Sequence, residues 1–282
     1  MRSLLFVPGD SERKLAKAAA SGADALILDL EDSVAPDRKT AARETTAAFL
    51  ASGDRTSSPR LCVRINGLDT DHWQHDLNAV VPGRPDMIML PKARGGADVQ
   101  TISAALDALE TPETKLIVLA TEVPVSLLRL ETYVGASPRL EALTWGAEDL
   151  SVELGATANR DEAGRFTSPY QMARNLCLVT AAAAGVAAID TVFTNFRDET
   201  GLVREAAEAA RDGFTGKLAI HPAQIAPINA AFTPSPDEIA RAKAILAAFA
   251  AAEPGTGVTS LDGEMLDEPH RRQAERLLAR ST

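Results

Sequence analysis

DALILDLED, Asp24 to Asp32, opens on an apolar run and ends in three carboxylates, Asp29, Glu31 and Asp32. Leu26, Ile27 and Leu28 follow one another without polar alternation, the pattern of a parallel strand covered on both faces. The stretch behind it, Asp37 to Leu50, is rich in helix formers. The same pairing recurs on both sides. SLLFVP (Ser3 to Pro8) precedes ERKLAKAAASG, RLCVRIN (Arg60 to Asn66) precedes Asp71 to Val80, and DMIMLPKA (Asp86 to Ala93) precedes Ala97 to Leu109. KLIVLATE (Lys115 to Glu122) precedes Val125 to Tyr133. LEALTWGAED (Leu140 to Asp149) leads through a long loop to a helix from Pro169 to Ala184. AAIDTVFTN (Ala187 to Asn195) precedes Glu199 to Asp212, and GKLAIHP (Gly216 to Pro222) precedes Ala223 to Phe232.

Strand–helix alternation means βαβ units, and eight of them predict an α/β chain folded as a (β/α)8 TIM barrel. An open doubly wound sheet is the competing architecture, but it calls for a G-x-G-x-x-G turn after an early strand, and the chain has none. The barrel accounts for residues 1–232. Residues 233–282 are read as a C-terminal helical lid extension. Its helix runs from Pro236 to Ala252 behind a Ser235/Glu238 capping box, followed by a linker at Glu253 to Gly257, a turn and a last short helix.

Composition narrows the function classes. The 282 residues are 45% apolar and 24% charged, which excludes a disordered chain. The net charge of −10 argues against a nucleic-acid partner, whose phosphates need surplus Lys and Arg. Cys62 and Cys177 sit in apolar stretches with no Cys-x-x-Cys spacing, so both are expected as buried thiols in a reducing compartment. No apolar run reaches membrane-spanning length, and the first apolar run, ended by Pro8-Gly9-Asp10, is too short for a signal peptide. A cytoplasmic protein without a membrane partner is expected.

In a barrel, chemistry sits where strands end. The predicted strand ends carry Asp29, Glu31, Asp32, Arg64, Asn66, Lys92, Glu122, Glu148, Asp149, Asn195 and His221. Glu122 and Asp149 lie on neighbouring strands, a donor set that suits an oxygen-loving cation such as Mg2+; salt bridges to barrel cations are the alternative. Arg64 ends an apolar run and suits either an anionic or enolate oxygen, or an internal ion pair. Lys92, among carboxylates, keeps its proton and is a poor Schiff-base nucleophile. His221 is either a general base or a structural hydrogen-bonding group. Asp29, Glu31 and Asp32 read equally as caps and salt-bridge partners.

These segments together carry a resemblance. RSLLFVPGD (Arg2 to Asp10), DALILDLEDSVAPDRKTAAR (Asp24 to Arg43), VRIN (Val63 to Asn66) and MLPKA (Met89 to Ala93) resemble the citrate lyase β-subunit-like family of Mg2+-dependent acyl-CoA lyases. So do the Glu122 segment, WGAEDL (Trp145 to Leu150), GKLAIHPAQ (Gly216 to Gln224) and DGEMLDEP (Asp262 to Pro269). The family includes malyl-CoA and citramalyl-CoA lyases. The resemblance implies Mg2+ held by Glu122 and Asp149, and substrate bound at Arg64 and Glu122. It further implies an enolate stabilised by Arg64, and an acid/base, Asp267, in the tail. Arg13 and Lys17 match the region that meets the CoA phosphates; an ordinary solvated helix face is the local alternative. The implied reaction cleaves or forms a 3-hydroxy-carboxyacyl-CoA, with acetyl-CoA and a small keto acid as products. The implied assembly is a homotrimer or hexamer in which tails reach neighbouring barrels. For proton transfer, Asp267 would need a desolvated site. Related readings are a citrate lyase β subunit acting on a carrier-protein thioester, a malyl-CoA thioesterase, and a non-catalytic CoA-ester-binding paralogue. One departure concerns Thr121-Glu122-Val123-Pro124, where the family usually has a small polar residue after the glutamate.

Overall fold

β1 (Ser3–Pro8) pairs in parallel with β2 (Ala25–Asp29) on one side and with β8 (Gly216–Ala219) on the other, and so closes a barrel in the computed structural model. The structure describes residues 1–52, 59–252 and 257–280. Between β2 and β8 the strands run in chain order: β3 (Arg60–Arg64), β4 (Met87–Leu90), β5 (Lys115–Leu119), β6 (Leu140–Thr144) and β7 (Ala187–Asp190), all parallel. The expected (β/α)8 barrel is what forms. Inward residues alternate along each strand and fill the interior: Leu4, Ala25 and Ile27, Cys62, Met87 and Met89, Ile117 and Leu119, Ala142, Ile189 and Leu218. Cys62 and Cys177 are buried and unpaired, and burial raises both thiols well above their ordinary range.

The intervening helices are α1 (Glu12–Ala19), α2 (Lys39–Ser52), α3 (His72–Val80), α4 (Gly96–Ala108), α5 (Pro124–Leu127), α6 (Glu148–Glu153), α7 (Ser168–Ala184), α8 (Glu199–Asp212) and α9 (Ile225–Phe232). Three local readings need correction. The helix expected over Val125 to Tyr133 is broken into α5 and a 3-10 turn at Leu130–Tyr133. β6 stops at Thr144, so Glu148 and Asp149 stand in the first turn of α6 rather than at a strand end. β7 stops at Asp190, leaving Asn195 exposed in the following loop. No helix among the described residues is long and apolar enough to cross a membrane.

The chain divides into two compact units, Met1–Asn229 and Ala230–Thr282. In the second, α10 (Pro236–Ala251) starts at the expected box, with Ser235 Oγ accepting from the Glu238 amide at 3.2 Å and Glu238 Oε2 accepting from the Ser235 amide at 2.7 Å. Where only a turn was expected, a hairpin forms from β9 (Val258–Leu261) and β10 (Glu264–Asp267). Asp262 and Gly263 both take positive φ, +52° and +82°, the two-residue turn that matches strand twist. α11 (Glu268–Ala279) follows directly and packs on α10. Of the linker expected at Glu253 to Gly257, residues 253–256 lie outside the described residues.

Candidate active site

Register brings the first two functional side chains together. Asp29 and Arg64 are paired positions at the ends of β2 and β3, on the face that lower down carries Ile27 and Cys62. Arg64 lays its Nε and Nη2 edge on both Asp29 oxygens at 2.7 Å, a bidentate fork. Its Nη1 lies 2.8 Å from Glu31 Oε2, and its guanidinium sits 4.8 Å from the Phe6 ring centroid. Burial opposes ionisation of Asp29, but the charge and hydrogen bonds of Arg64 outweigh it and hold the carboxyl below its ordinary range. Burial also opposes the charge on Arg64, which Asp29 and Glu31 more than restore. Of the two readings open for Arg64, the ion pair is present. A guanidinium has five N–H donors, so this pairing still leaves hydrogens on Nη1 and Nη2 for a substrate oxygen.

Glu122 follows β5 and is only 3% exposed. The Lys92 amide donates to its Oε2 at 2.6 Å, from a backbone held at φ +52°. Opposite stands Gly146, where a Cβ would lie 2.7 Å from Glu122 Cγ and 3.0 Å from its Oε1. The glycine is therefore required by the packing of the carboxylate. Burial, with repulsion from Asp149 and Glu31, pushes the Glu122 carboxyl up to about 8. Lys92 Nζ bridges Glu31 at 2.6 Å, Asp32 at 3.3 Å and Asp149 at 3.4 Å. Burial disfavours its charge, but these carboxylates raise its pKa above the ordinary lysine value, so it stays protonated as the sequence suggested. Desolvation raises the Glu31 carboxyl despite both cations.

The cleft at this barrel end has a volume of about 430 Å³. Asp29, Asp32, Arg64, Glu122, Glu148 and Asp149 line one part of it; Phe6, Pro8, Leu119, Val192, Leu218 and Ile220 line another. Among the described residues no group of three or more His, Cys, Asp and Glu is placed to hold a metal. Glu122 and Asp149 fit a cation in a different way. Two carboxylates that repel each other, one of them buried, are what a divalent ion relieves, and Mg2+ commonly takes only one or two protein carboxylates.

The other expected residues lie apart from this cluster or in structural roles. His221 caps the turn at Pro222–Gln224, its Nδ1 accepting from the Ala223 amide, and its ring stacks on Phe196 at 4.8 Å. Asn66 binds Asp76 and the Leu30 carbonyl, and Glu148 accepts from Asn159. Arg13 and Lys17 are exposed, one turn apart on α1. In the second unit, Asp267 is the N-cap of α11, and its Oδ1 is 2.5 Å from His270 Nδ1. Its side chain is 43% exposed.

Sequence reasoning missed Gly146 and the apolar wall. The dipeptide Trp145-Gly146 directly behind a strand was the available signal for the first. It also missed a buried cation on the outer face of the barrel. Lys217 Nζ, fully buried, contacts Asp190 at 2.6 Å and Glu205 at 2.9 Å, and Asp190 accepts from Trp145 Nε1 at 2.8 Å.

Comparison with known proteins finds relatives along the length of the chain. The family model described as HpcH/HpaI aldolase/citrate lyase matches residues 2–222. A (3S)-malyl-CoA thioesterase of Cereibacter sphaeroides is 38% identical over 281 residues, covering 99% of this chain and 94% of that protein. The mitochondrial citramalyl-CoA lyase of Rattus norvegicus is 35% identical, covering 100% and 86%. Among solved structures, protein CitE of Mycobacterium tuberculosis, in complex with magnesium, acetoacetate and coenzyme A, superposes with a TM-score of 0.82. It shares 33% identity, and the match covers 99% of this chain and 97% of that one.

Proposed function

The chain belongs to the HpcH/HpaI aldolase/citrate lyase family, and on that premise we propose that it is a Mg2+-dependent carbon–carbon lyase. Its substrate is a 3-hydroxy-carboxyacyl-CoA, cleaved to, or formed from, acetyl-CoA and a small keto acid. The observation that carries this reading is the meeting of Glu122, Asp149 and Arg64 in one cleft at the barrel end.

Glu122 and Asp149 would hold the Mg2+. When bound, the ion supplies Lewis-acid stabilisation to the substrate's hydroxyl and carboxylate oxygens. Arg64, fixed by Asp29 and Glu31, offers its remaining N–H groups to the thioester oxygen, where negative charge develops as the carbon–carbon bond breaks. A preorganised donor of this kind is worth roughly 3–4 kcal/mol in the transition state. Asp267 is assigned the proton at carbon: it donates to the enolate carbon in cleavage and accepts from the acetyl methyl in condensation, while the substrate's hydroxyl proton passes to solvent in cleavage and is regained from it in condensation. In keeping with the family resemblance of the tail segment, we assign Asp267 to the barrel of a neighbouring copy, within a homotrimer or hexamer, where burial would raise its proton affinity. Arg13 and Lys17 are assigned to the CoA phosphates, residues 1–232 to the catalytic barrel and residues 233–282 to the lid.

The test is product analysis with malyl-, citramalyl- and citryl-CoA in MgCl2. The expected result is acetyl-CoA and keto acid in equal amounts, lost with EDTA and lost in Asp149→Ala. Full activity in EDTA refutes the reading. Mixing inactive Arg64→Ala with inactive Asp267→Asn restores turnover if tails serve neighbouring barrels. The similarity to a malyl-CoA thioesterase favours one second reading, in which free CoA and the intact hydroxy acid are the products.

A further inference from the structure

The cations of the cleft are already matched. Among the described residues lining it, Arg64 is the only cation, and Lys92 lies at its acidic edge. The Nε/Nη2 edge of Arg64, one of the two bidentate edges of a guanidinium, is occupied by Asp29, and Glu31 lies against Nη1. Lys92 is shared by Glu31, Asp32 and Asp149. The hydrogens that remain on Nη1 and Nη2 serve the thioester oxygen in the lyase reading, and with that place taken the lining offers a second substrate carboxylate no other cation among the described residues.

Away from the carboxylates the lining holds two hydroxyls, Ser33 and Thr191, no further cation among the described residues, and an apolar wall. Leu119 and Leu218 belong to the barrel interior, Val192 packs against it, and Ile220, two residues beyond Leu218, continues the same strand face and is 40% exposed. A carboxylate placed against this wall would lose water without gaining a counter-charge.

Resting on the lyase reading above, we infer that the substrate carries one carboxylate beside its hydroxyl, and hydrogen or a short alkyl group at the remaining position of that carbon. The keto acid is then a monocarboxylate with an apolar substituent, and a thioester with a second carboxymethyl arm is a poor substrate.

The full-length protein in MgCl2 is assayed against malyl-, citramalyl- and citryl-CoA, with keto acid and free CoA measured separately. Malyl- or citramalyl-CoA is expected to exceed citryl-CoA in kcat/KM by about a hundredfold or more, the scale on which a site rejects a group it leaves unpaired. Ile220→Lys, which adds a cation to the wall at a half-exposed position, is expected to narrow that gap at least about tenfold. Titration calorimetry with MgCl2 present supplies a readout independent of turnover: pyruvate is expected to bind at least about tenfold tighter than oxaloacetate. Equal or better use of citryl-CoA, or tighter oxaloacetate binding, overturns the inference and leaves the lyase reading standing. Release of free CoA without keto acid overturns the lyase reading instead, and the ranking of the three thioesters still decides the substrate class.

Discussion

Gly146 is where one atom decides the site. Its missing Cβ leaves room for the Glu122 side chain, which the Lys92 amide holds from the other side. Gly146→Ala should displace that carboxylate, weaken Mg2+ binding at least about tenfold and lower stability by about 1–3 kcal/mol, the usual range for overpacking. Calorimetric titration with MgCl2 and urea unfolding of the same variant check both parts. At this scale the sequence was partly legible. Carboxylates and Arg64 at the ends of apolar runs announced themselves, because a charge held beside a core is costly unless it is paired or put to use. Their partners did not. Whether Arg64 pairs with Asp29 or faces a ligand depends on the register of β2 and β3, which spacing along one strand cannot reveal. Gly146 matters through a contact with a residue on another strand, and that also leaves no mark on local composition.

Elements were legible where burial writes a long pattern. All eight barrel strands show as apolar runs because helices cover their outer faces and side chains fill the inside. Short elements escaped. α6 has six residues and carries Glu148 and Asp149 in its first turn, too brief for helical periodicity to show. The β9–β10 hairpin was readable in principle, since Asp262-Gly263 separates two four-residue runs, but the runs are exposed and weakly alternating. The outer face of β7 and β8 depends on Lys217 in the same sense that the mouth depends on Arg64. Lys217→Met removes the ammonium 2.6 Å from buried Asp190, leaves it only Arg174 at 3.8 Å as a cation, and should destabilise the protein by about 3 kcal/mol, the low end for a broken buried pair, seen as a lower urea midpoint. Mg2+ affinity should be unchanged in that variant, because its partners face away from the cleft.

For the whole molecule, acid is the informative perturbation. Burial opposes ionisation of Glu205, but Lys217 and Arg160 hold its carboxyl below the ordinary range; Asp24 is depressed in the same way by Arg2. A carboxylate with a depressed folded pKa contributes stability above its unfolded pKa, near 4, and loses it as pH falls through the folded value. The contribution of these two pairs to the urea midpoint should therefore be complete above about pH 5 and be lost below about pH 4, whereas the raised Glu122 carboxyl favours the fold as it is protonated on the way down from about 8. Asp24→Asn should start lower at neutral pH and show a shallower acid decline. A midpoint that rises toward pH 3 would contradict these pairings.

Barrel closure also fixes the order in which the chain can mature. Ser3 lies in register with Lys217, whose amide donates to the Arg2 carbonyl at 2.8 Å, so the first strand finds one of its two neighbours only after more than two hundred intervening residues exist. On a ribosome, β1 and β2 can meet early, but the ring stays open until β8 emerges, with two unprotected strand edges exposed in the meantime. Contacts this distant in sequence make folding slow relative to helical proteins of equal stability. A chain stopped before Gly216 keeps all of the carboxylates that line the cleft yet lacks the strand that seals the cylinder, so nascent-chain accumulation rather than loss of chemistry is its expected failure.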